Sequence, residues 1–192
     1  MTSKKYCNFD YTLMQRNMEI SKQLASVIRD IPNFPKEGII FKDISPVMQQ
    51  PSILKNAIDA IVSECKNLEI DAVAGIESRG FLLGIPLALA LNVPFVMIRK
   101  AGKLPSTTIS ESYDLEYGSA TIEMHQDSLP KGAKVLIHDD VLATGGTAIA
   151  AAKLINQIGT VSGFSFLMDL EFLGGKKAIS QYSKNISSLI SY

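Results

Sequence analysis

The adjacent pair Asp139-Asp140, followed after two intervening residues by Ala143-Thr144-Gly145-Gly146-Thr147, is where this chain is best equipped for chemistry. Neighbouring carboxylates repel each other and lose solvation wherever they are sheltered. A ligand bearing hydroxyl groups or a metal offsets that cost. The glycines let backbone N–H groups approach an anion closely, and a helix beginning there adds the positive end of its dipole. A ribose carrying a 5′-phosphate satisfies both demands at once. Glycine turns between strands and helices are common, and it is the acidic pair that separates this one from an ordinary connection.

Two further segments carry charge in suggestive places. Glu77-Ser78-Arg79-Gly80 follows a short apolar run, and Arg99, Lys100 and Lys103 follow another. Alone, the first reads as a polar turn with Arg79 solvated. The second lies in a stretch with Gly102 and Pro105 and no apolar period, which reads as a long mobile loop from Lys100 to Ser112. A cationic loop of that kind can close on a polyanionic leaving group and exclude water. By pattern alone Glu116 is an exposed hairpin residue, Phe41 a core residue, His125 a surface residue and His138 a hydrogen-bonded strand residue. Gly75 to Gly80 has the glycine spacing of a P-loop, but Phe81 stands where the phosphate-binding lysine is required. No Gly-x-Gly-x-x-Gly follows a strand, so dinucleotide binding is disfavoured too.

These residues need elements to hold them. Thr12 with Gln15 makes a capping box for a helix that stops near Asp30, ahead of Pro32. Residues 33–38 are loop-like and Ile39 to Phe41 a short strand. Pro51 opens a helix whose apolar face is Leu54, Ile58, Ile61, Cys65 and Leu68. Ala72 to Gly75 is a buried strand, Gly80 begins a helix through Leu91, and Phe95 to Ile98 is the next strand. Tyr113 to Met124 reads as a hairpin turning near Gly118. An apolar strand from Val135 leads into the acidic pair. A helix follows to about Ile158, then strands over Gly163–Leu167 and near Ile186. Strands alternating with helices predict an α/β fold, a doubly wound and mostly parallel sheet flanked by helices. Ligands of such sheets sit at the carboxyl ends of the strands, where the charged segments fall.

Composition sets the outer bounds. The chain has 192 residues, 46% of them hydrophobic, with 19 basic and 19 acidic side chains. That length fits one domain with a small appendage. Zero net charge gives no electrostatic case for nucleic acid. No apolar run reaches membrane-spanning length, and the N-terminus lacks the apolar core of a secretory signal. Two cysteines, Cys7 and Cys65, form neither a disulfide framework nor a metal-ligand spacing. The expectation is a cytoplasmic enzyme without a membrane partner.

Residues 135–148 resemble the phosphoribosyl-diphosphate-binding signature of type I phosphoribosyltransferases. Residues 34–46, 77–81, 99–105 and 112–118 resemble the adenine phosphoribosyltransferase branch. The resemblance implies transfer of a phosphoribosyl group to adenine, giving AMP and pyrophosphate, with Mg²⁺ held mainly by the diphosphate substrate and no protein metal site. It implies that Ala143, Thr144, Gly145, Gly146 and Thr147 hold the 5′-phosphate and that Asp139 and Asp140 hold the ribose hydroxyls. Arg79, Arg99, Lys100 and Lys103 would face the pyrophosphate. Adenine would lie against Phe41, with main-chain groups of Ile40 and Lys42 at its edge and Leu170 on its other face. Glu116 matches the glutamate that handles the purine N7 proton. The family also implies a homodimer, a cis peptide in the Glu77 turn, and a hood within residues 1–45 over a core of residues 46–192 that includes a mobile loop, 100–118. Two departures stand out. His138 replaces an aliphatic residue and predicts an added titration below neutrality. Ala101 replaces a basic residue of the loop. The rival readings are a phosphoribosyltransferase for 6-oxopurines and a DNA-binding sensor of phosphoribosyl diphosphate. The main-chain-lined hood segment and the neutral charge balance disfavour them in turn.

Overall fold

The computed structural model describes residues 3–114 and 118–192, with side chains from residue 15 onward except at Asp114. The chain divides into two compact units, Met1–Ser63 and Glu64–Tyr192.

The first unit begins with α1 (Ser3–Val27), which runs straight through the expected capping box at Thr12. No glycine or proline between residues 3 and 27 interrupts it, so the cap signal has no boundary to mark. The helix stops at Val27 because Arg29–Pro32 is a strand, β1, paired antiparallel with β2 (Ile40–Asp43). Two cross-strand ion pairs pin this register: Arg29–Asp43 at 2.6 Å and Lys42–Asp30 at 2.7 Å. In the connection, the Gly38 N–H donates to the Asn33 side-chain oxygen (3.0 Å). A short α2 (Ser45–Met48) and α3 (Pro51–Glu64) complete the unit.

The second unit is a seven-stranded sheet with helices on both faces. Its elements are β3 (Ala72–Ile76), α4 (Arg79–Leu91), β4 (Phe95–Lys100), β5 (Thr108–Asp114), β6 (Ser119–His125), β7 (Lys134–Leu142), α5 (Gly146–Ile155), β8 (Thr160–Asp169), α6 (Gly175–Ile179) and β9 (Ile186–Ser191). The strand order is β5-β6-β4-β3-β7-β8-β9. The run from β4 to β9 is parallel, and β6 and β5 add an antiparallel edge. From β3 the chain winds outward to β4; from β7 it winds the other way to β8 and β9. The winding reverses between β3 and β7, the point where open α/β sheets bind ligands. This is the doubly wound architecture that the sequence predicts.

Side-chain alternation divides the faces. Ala74, Ile76, Ile137, Phe164 and Phe166 join the α5 residues Ala150, Ala151 and Leu154 in one buried cluster. On β3, Gly75 lies between them against the rings of Phe81 and Phe95, which meet edge to face with ring centres 5.7 Å apart. Run lengths depart from the sequence reading in two places. Strand β7 continues through Asp139 and Asp140 to Leu142, because β8 goes on pairing with it as far as Asp169. Only residues 101–107 of the expected Lys100–Ser112 loop lack regular structure, since Thr108–Asp114 pairs along the whole of β6. Ile109 and Tyr113 on that strand pack against the core, and Glu111 between them pairs with Lys153 of α5 at 3.2 Å. Such a polar strand gives little alternation to detect.

Candidate active site

Strand β7 delivers its last residues into a cleft of about 460 Å³. All five residues from Ala143 to Thr147 line it, together with Asp139, Asp140, Arg79, Lys100 and Tyr113. The loop turns at Gly145, whose φ of +87° favours glycine, and α5 starts at the next residue. The helix's first-turn N–H groups lack intrahelical partners, and their dipole favours an anion in front of them. The start of α6 backs this loop closely. A Cβ on Gly175 would stand 2.2 Å from the Ala143 carbonyl oxygen, and the Gly175 carbonyl lies 3.1 Å from where a Gly145 Cβ would be. The cradle is therefore shaped by a glycine some thirty residues further along the chain. Above it, the Thr147 hydroxyl donates to the Tyr113 hydroxyl at 3.4 Å.

The acidic pair is sheltered and under electrostatic load. Burial pushes the Asp139 carboxyl well above the usual carboxylate range, and the neighbouring Asp140 charge adds to the rise. Asp140 is also raised by burial, although Arg79 opposes the shift. Arg79 Nε stands 3.0 Å from Asp140 Oδ2 as a charge pair, yet that buried oxygen receives no hydrogen bond. Asp139 Oδ1 accepts the Asp140 N–H at 2.8 Å. A ligand with hydroxyl groups would supply the missing donors, which buried acceptors need. Arg79 opens α4 beside the Glu77–Ser78 peptide, which is cis.

The cations separate into two groups. Arg79 and Lys100 line the cleft; Arg99 and Lys103 do not. Arg99 and Lys100 belong to β4 rather than to the loop. The Arg99 guanidinium donates to Glu77 Oε2 (3.1 Å) and to the Lys103 carbonyl (3.1 Å), and the Lys100 N–H donates to the same Glu77 oxygen (3.0 Å). Burial opposes ionisation of Glu77, but these donors outweigh it and lower its pKa. Much of Arg99's hydrogen-bonding capacity is thus committed to holding the loop.

Of the residues expected to read the base, Phe41 packs edge to face on Phe34 in the first unit, with centroids 5.2 Å apart. Ile40 and Lys42 flank it in β2. Leu170 follows β8 in the second unit, donates its N–H to the Leu142 carbonyl (2.8 Å), and does not line the cleft. Glu116 lies outside the described residues. His138 is fully buried, with Nδ1 2.8 Å from the Ser165 hydroxyl and Nε2 unpartnered. Burial pushes its pKa down to about 4, so the imidazole is neutral near pH 7, and the titration expected of it falls well short of neutrality. The sequence reading did not assign roles to Tyr113, Glu77 or Gly175. Tyr113 could have been suspected from its place beside Glu116; no local pattern marks Gly175.

Comparison with known proteins gives consistent similarities. Residues 45–162 match the model of the phosphoribosyl transferase domain. The chain is 51% identical over 163 residues to an adenine phosphoribosyltransferase of Thermobifida fusca, covering 84% of this chain and 93% of that protein. A Saccharomyces cerevisiae adenine phosphoribosyltransferase, solved with an imino-altritol bisphosphate and adenine, superposes with a TM-score of 0.84. It is 39% identical and covers 90% of this chain and 99% of its own. A Trypanosoma brucei adenine phosphoribosyl transferase, solved with AMP, pyrophosphate and ribose 5-phosphate, has a TM-score of 0.80 at 29% identity, covering 90% of this chain and 79% of its own.

Proposed function

This chain belongs to the adenine phosphoribosyltransferase family, and from that premise we propose how its residues divide the work. The enzyme transfers the 5-phosphoribosyl group from phosphoribosyl diphosphate to adenine, giving AMP and pyrophosphate. One observation carries the assignment of roles. A buried carboxylate short of donors, Asp140, its neighbour Asp139 and a helix start suited to an anion share one cleft at the reversal of the sheet.

The backbone N–H groups of residues 143–147 hold the 5′-phosphate, and Asp139 and Asp140 accept the ribose hydroxyls. Gripping the sugar at both ends orients C1′ toward the base. The C1′–O bond breaks with its electron pair leaving on pyrophosphate, and C1′ bonds to the purine nitrogen through an oxocarbenium-like sugar. Arg79 and Lys100 in the cleft, with Lys103 and Arg99 from the loop side, stabilise the departing charge. Asp140 also orients Arg79 through their ion pair. Among the described residues no three or more His, Cys, Asp or Glu side chains are grouped to hold a metal. A Mg²⁺ ion would arrive on the diphosphate and be held mainly by that substrate, leaving Asp139 and Asp140 to the ribose hydroxyls. Such an ion would supply further neutralisation of the leaving group. Phe41 gives adenine an aromatic face, main-chain groups of Ile40 and Lys42 read its edge, and Leu170 adds an apolar contact. Glu116 handles the purine N7 proton.

Residues 1–45 supply the extension and hood and residues 46–192 the catalytic core. The enzyme works in the cytoplasm as a homodimer. An exposed apolar stripe of Leu82, Ile85 and Leu89 on α4 supports self-association. Pyrophosphate release assayed in parallel with adenine, hypoxanthine, guanine and xanthine tests the reading. Release with adenine is expected; release with a 6-oxopurine alone, or with no base, overturns it.

A further inference from the structure

Glu123 is a charged residue in the middle of β6, yet it is only 7% exposed. Its Oε1 accepts three successive backbone N–H groups, those of Gly102 (3.0 Å), Lys103 (3.1 Å) and Leu104 (3.1 Å). Its Oε2 accepts the Thr108 hydroxyl at 3.3 Å. Every one of these donors belongs to the segment that leaves β4 and enters β5. Three consecutive N–H groups converge on one oxygen only when the chain curls into a nest, and the φ of +80° at Gly102 supplies the turn. Among the described residues no cation pairs with Glu123, so peptide dipoles answer its charge. Burial opposes ionisation, but the N–H groups of Leu104 and Lys103, the Thr108 hydroxyl and the N–H of Gly102 outweigh it, and the carboxyl stays ionised.

The same loop is tied elsewhere too: the Ala101 N–H donates to the Thr121 carbonyl (3.0 Å) and the Gln126 N–H to the Thr107 carbonyl (3.1 Å) at its two ends. The Arg99 guanidinium bridges Glu77 and the Lys103 carbonyl, and His125 Nε2 donates to the Pro105 carbonyl at 2.6 Å. Of these ties the Glu123 carboxylate meets the largest number of loop groups, and charged hydrogen bonds are about twice as strong as neutral ones. A carboxylate that organises three peptide groups fixes the backbone from which the Lys103 side chain springs.

We propose that Glu123 is a positioning residue for pyrophosphate: its carboxylate fixes the backbone of residues 102–104, from which the Lys103 side chain reaches for the leaving group. The proposal rests on the reading that this loop faces the diphosphate and the 143–147 cradle faces the 5′-phosphate. It implies a split between ligands that no loss of general fold would produce. Glu123 acts on pyrophosphate and leaves ribose 5-phosphate alone, because the cradle shares none of its hydrogen bonds.

The test is calorimetric titration of wild type and Glu123→Gln with Mg²⁺-pyrophosphate and, separately, with ribose 5-phosphate. Glutamine keeps the shape, loses the charge and places an N–H₂ where an acceptor stood. Pyrophosphate affinity is expected to fall about tenfold, with ribose 5-phosphate affinity within twofold of wild type. In turnover, KM for phosphoribosyl diphosphate rises while KM for adenine is unchanged, and trypsin cuts after Lys103 faster. Equal pyrophosphate affinity in the variant, or a parallel loss of both ligands, overturns the proposal. A wild type that binds neither ligand would instead remove the functional reading beneath it. Should Glu123→Gln not fold, Leu104→Pro removes one of the three donors from a surface segment. It should weaken pyrophosphate several-fold and spare ribose 5-phosphate, and no change there overturns the proposal equally.

Discussion

The two anion-facing parts of the second unit are built on opposite plans. The cradle is local: Asp139 to Thr147 are contiguous, and a strand end, one positive-φ glycine and a helix start do most of the work. The cationic loop is assembled from a distance. Glu123, within β6, holds its backbone, and Glu77, just past β3, holds Arg99 and Lys100 at the end of β4 from which it leaves, through hydrogen bonds spanning about twenty residues of sequence. In the cradle, backbone N–H groups at the helix start and the carboxylates before it are open to a ligand. In the loop, carboxylates are already spent on backbone groups and cations await one. Under the proposed function, the local site grips the part of the substrate that stays and the remotely tethered loop meets the part that leaves.

The comparison predicts a graded set of losses. Asp140→Ala should cost the most, lowering kcat/KM for phosphoribosyl diphosphate about 10²–10³-fold in a pyrophosphate-release assay. Lys103→Ala should cost less than that. Equal losses would break the distinction between a gripping site and a tethered one. Gly175→Ala comes next. Its Cβ would collide with the Ala143 carbonyl, costing about 1–3 kcal/mol in denaturant unfolding and weakening ribose 5-phosphate more than pyrophosphate. Undiminished ribose 5-phosphate binding would show that α6 does not shape the cradle.

A smaller effect concerns charge. Folding raises the Asp139 pKa, so the folded state binds the proton more tightly than the unfolded chain. The carboxyl therefore costs stability as pH rises above its unfolded value. Asp139→Asn keeps the acceptor for the Asp140 N–H and sheds the charge. It should raise Tm at neutral pH by about 2–4 °C, the size of a 1 kcal/mol gain, while turnover falls. A lowered Tm would contradict the buried repulsion. The same shifts predict that kcat/KM for phosphoribosyl diphosphate declines on acidification at a pH above the ordinary carboxylate range.

The smallest effect belongs to His138. Its folded pKa of about 4 lies below the unfolded value near 6.5. The stability this neutral imidazole contributes is present above about pH 6.5 and is lost as pH falls toward 4. His138→Val should leave the pH–rate profile between 6 and 9 unchanged and flatten acid destabilisation in that lower window. A vanished kinetic titration near neutrality would reassign the residue to the chemistry.

Much of this was legible before any coordinates. The apolar strands, the alternation with helices and the order of acidic pair, small residues and helix all follow from local pattern, because each depends on neighbours within a few residues. What failed to show were boundaries and tethers. The capping signal at Thr12 marks no helix end, since nothing in residues 3–11 opposes a helix. Polar β5 hides as loop because partners on β6 and α5, not its own sequence, stabilise it.

By itself the chain's sequence determined the chemistry available: two adjacent carboxylates, a glycine turn at a helix start and a set of cations, together with the strands and helices that carry them. Tertiary structure alone decided which cations enter the cleft, that Gly175 backs the cradle, that His138 stays neutral, and that Glu123 organises the loop. The reason is physical. Strand and helix patterns report each residue's immediate chain, whereas burial, charge pairing and hydrogen-bond acceptance depend on groups that only the folded sheet brings together.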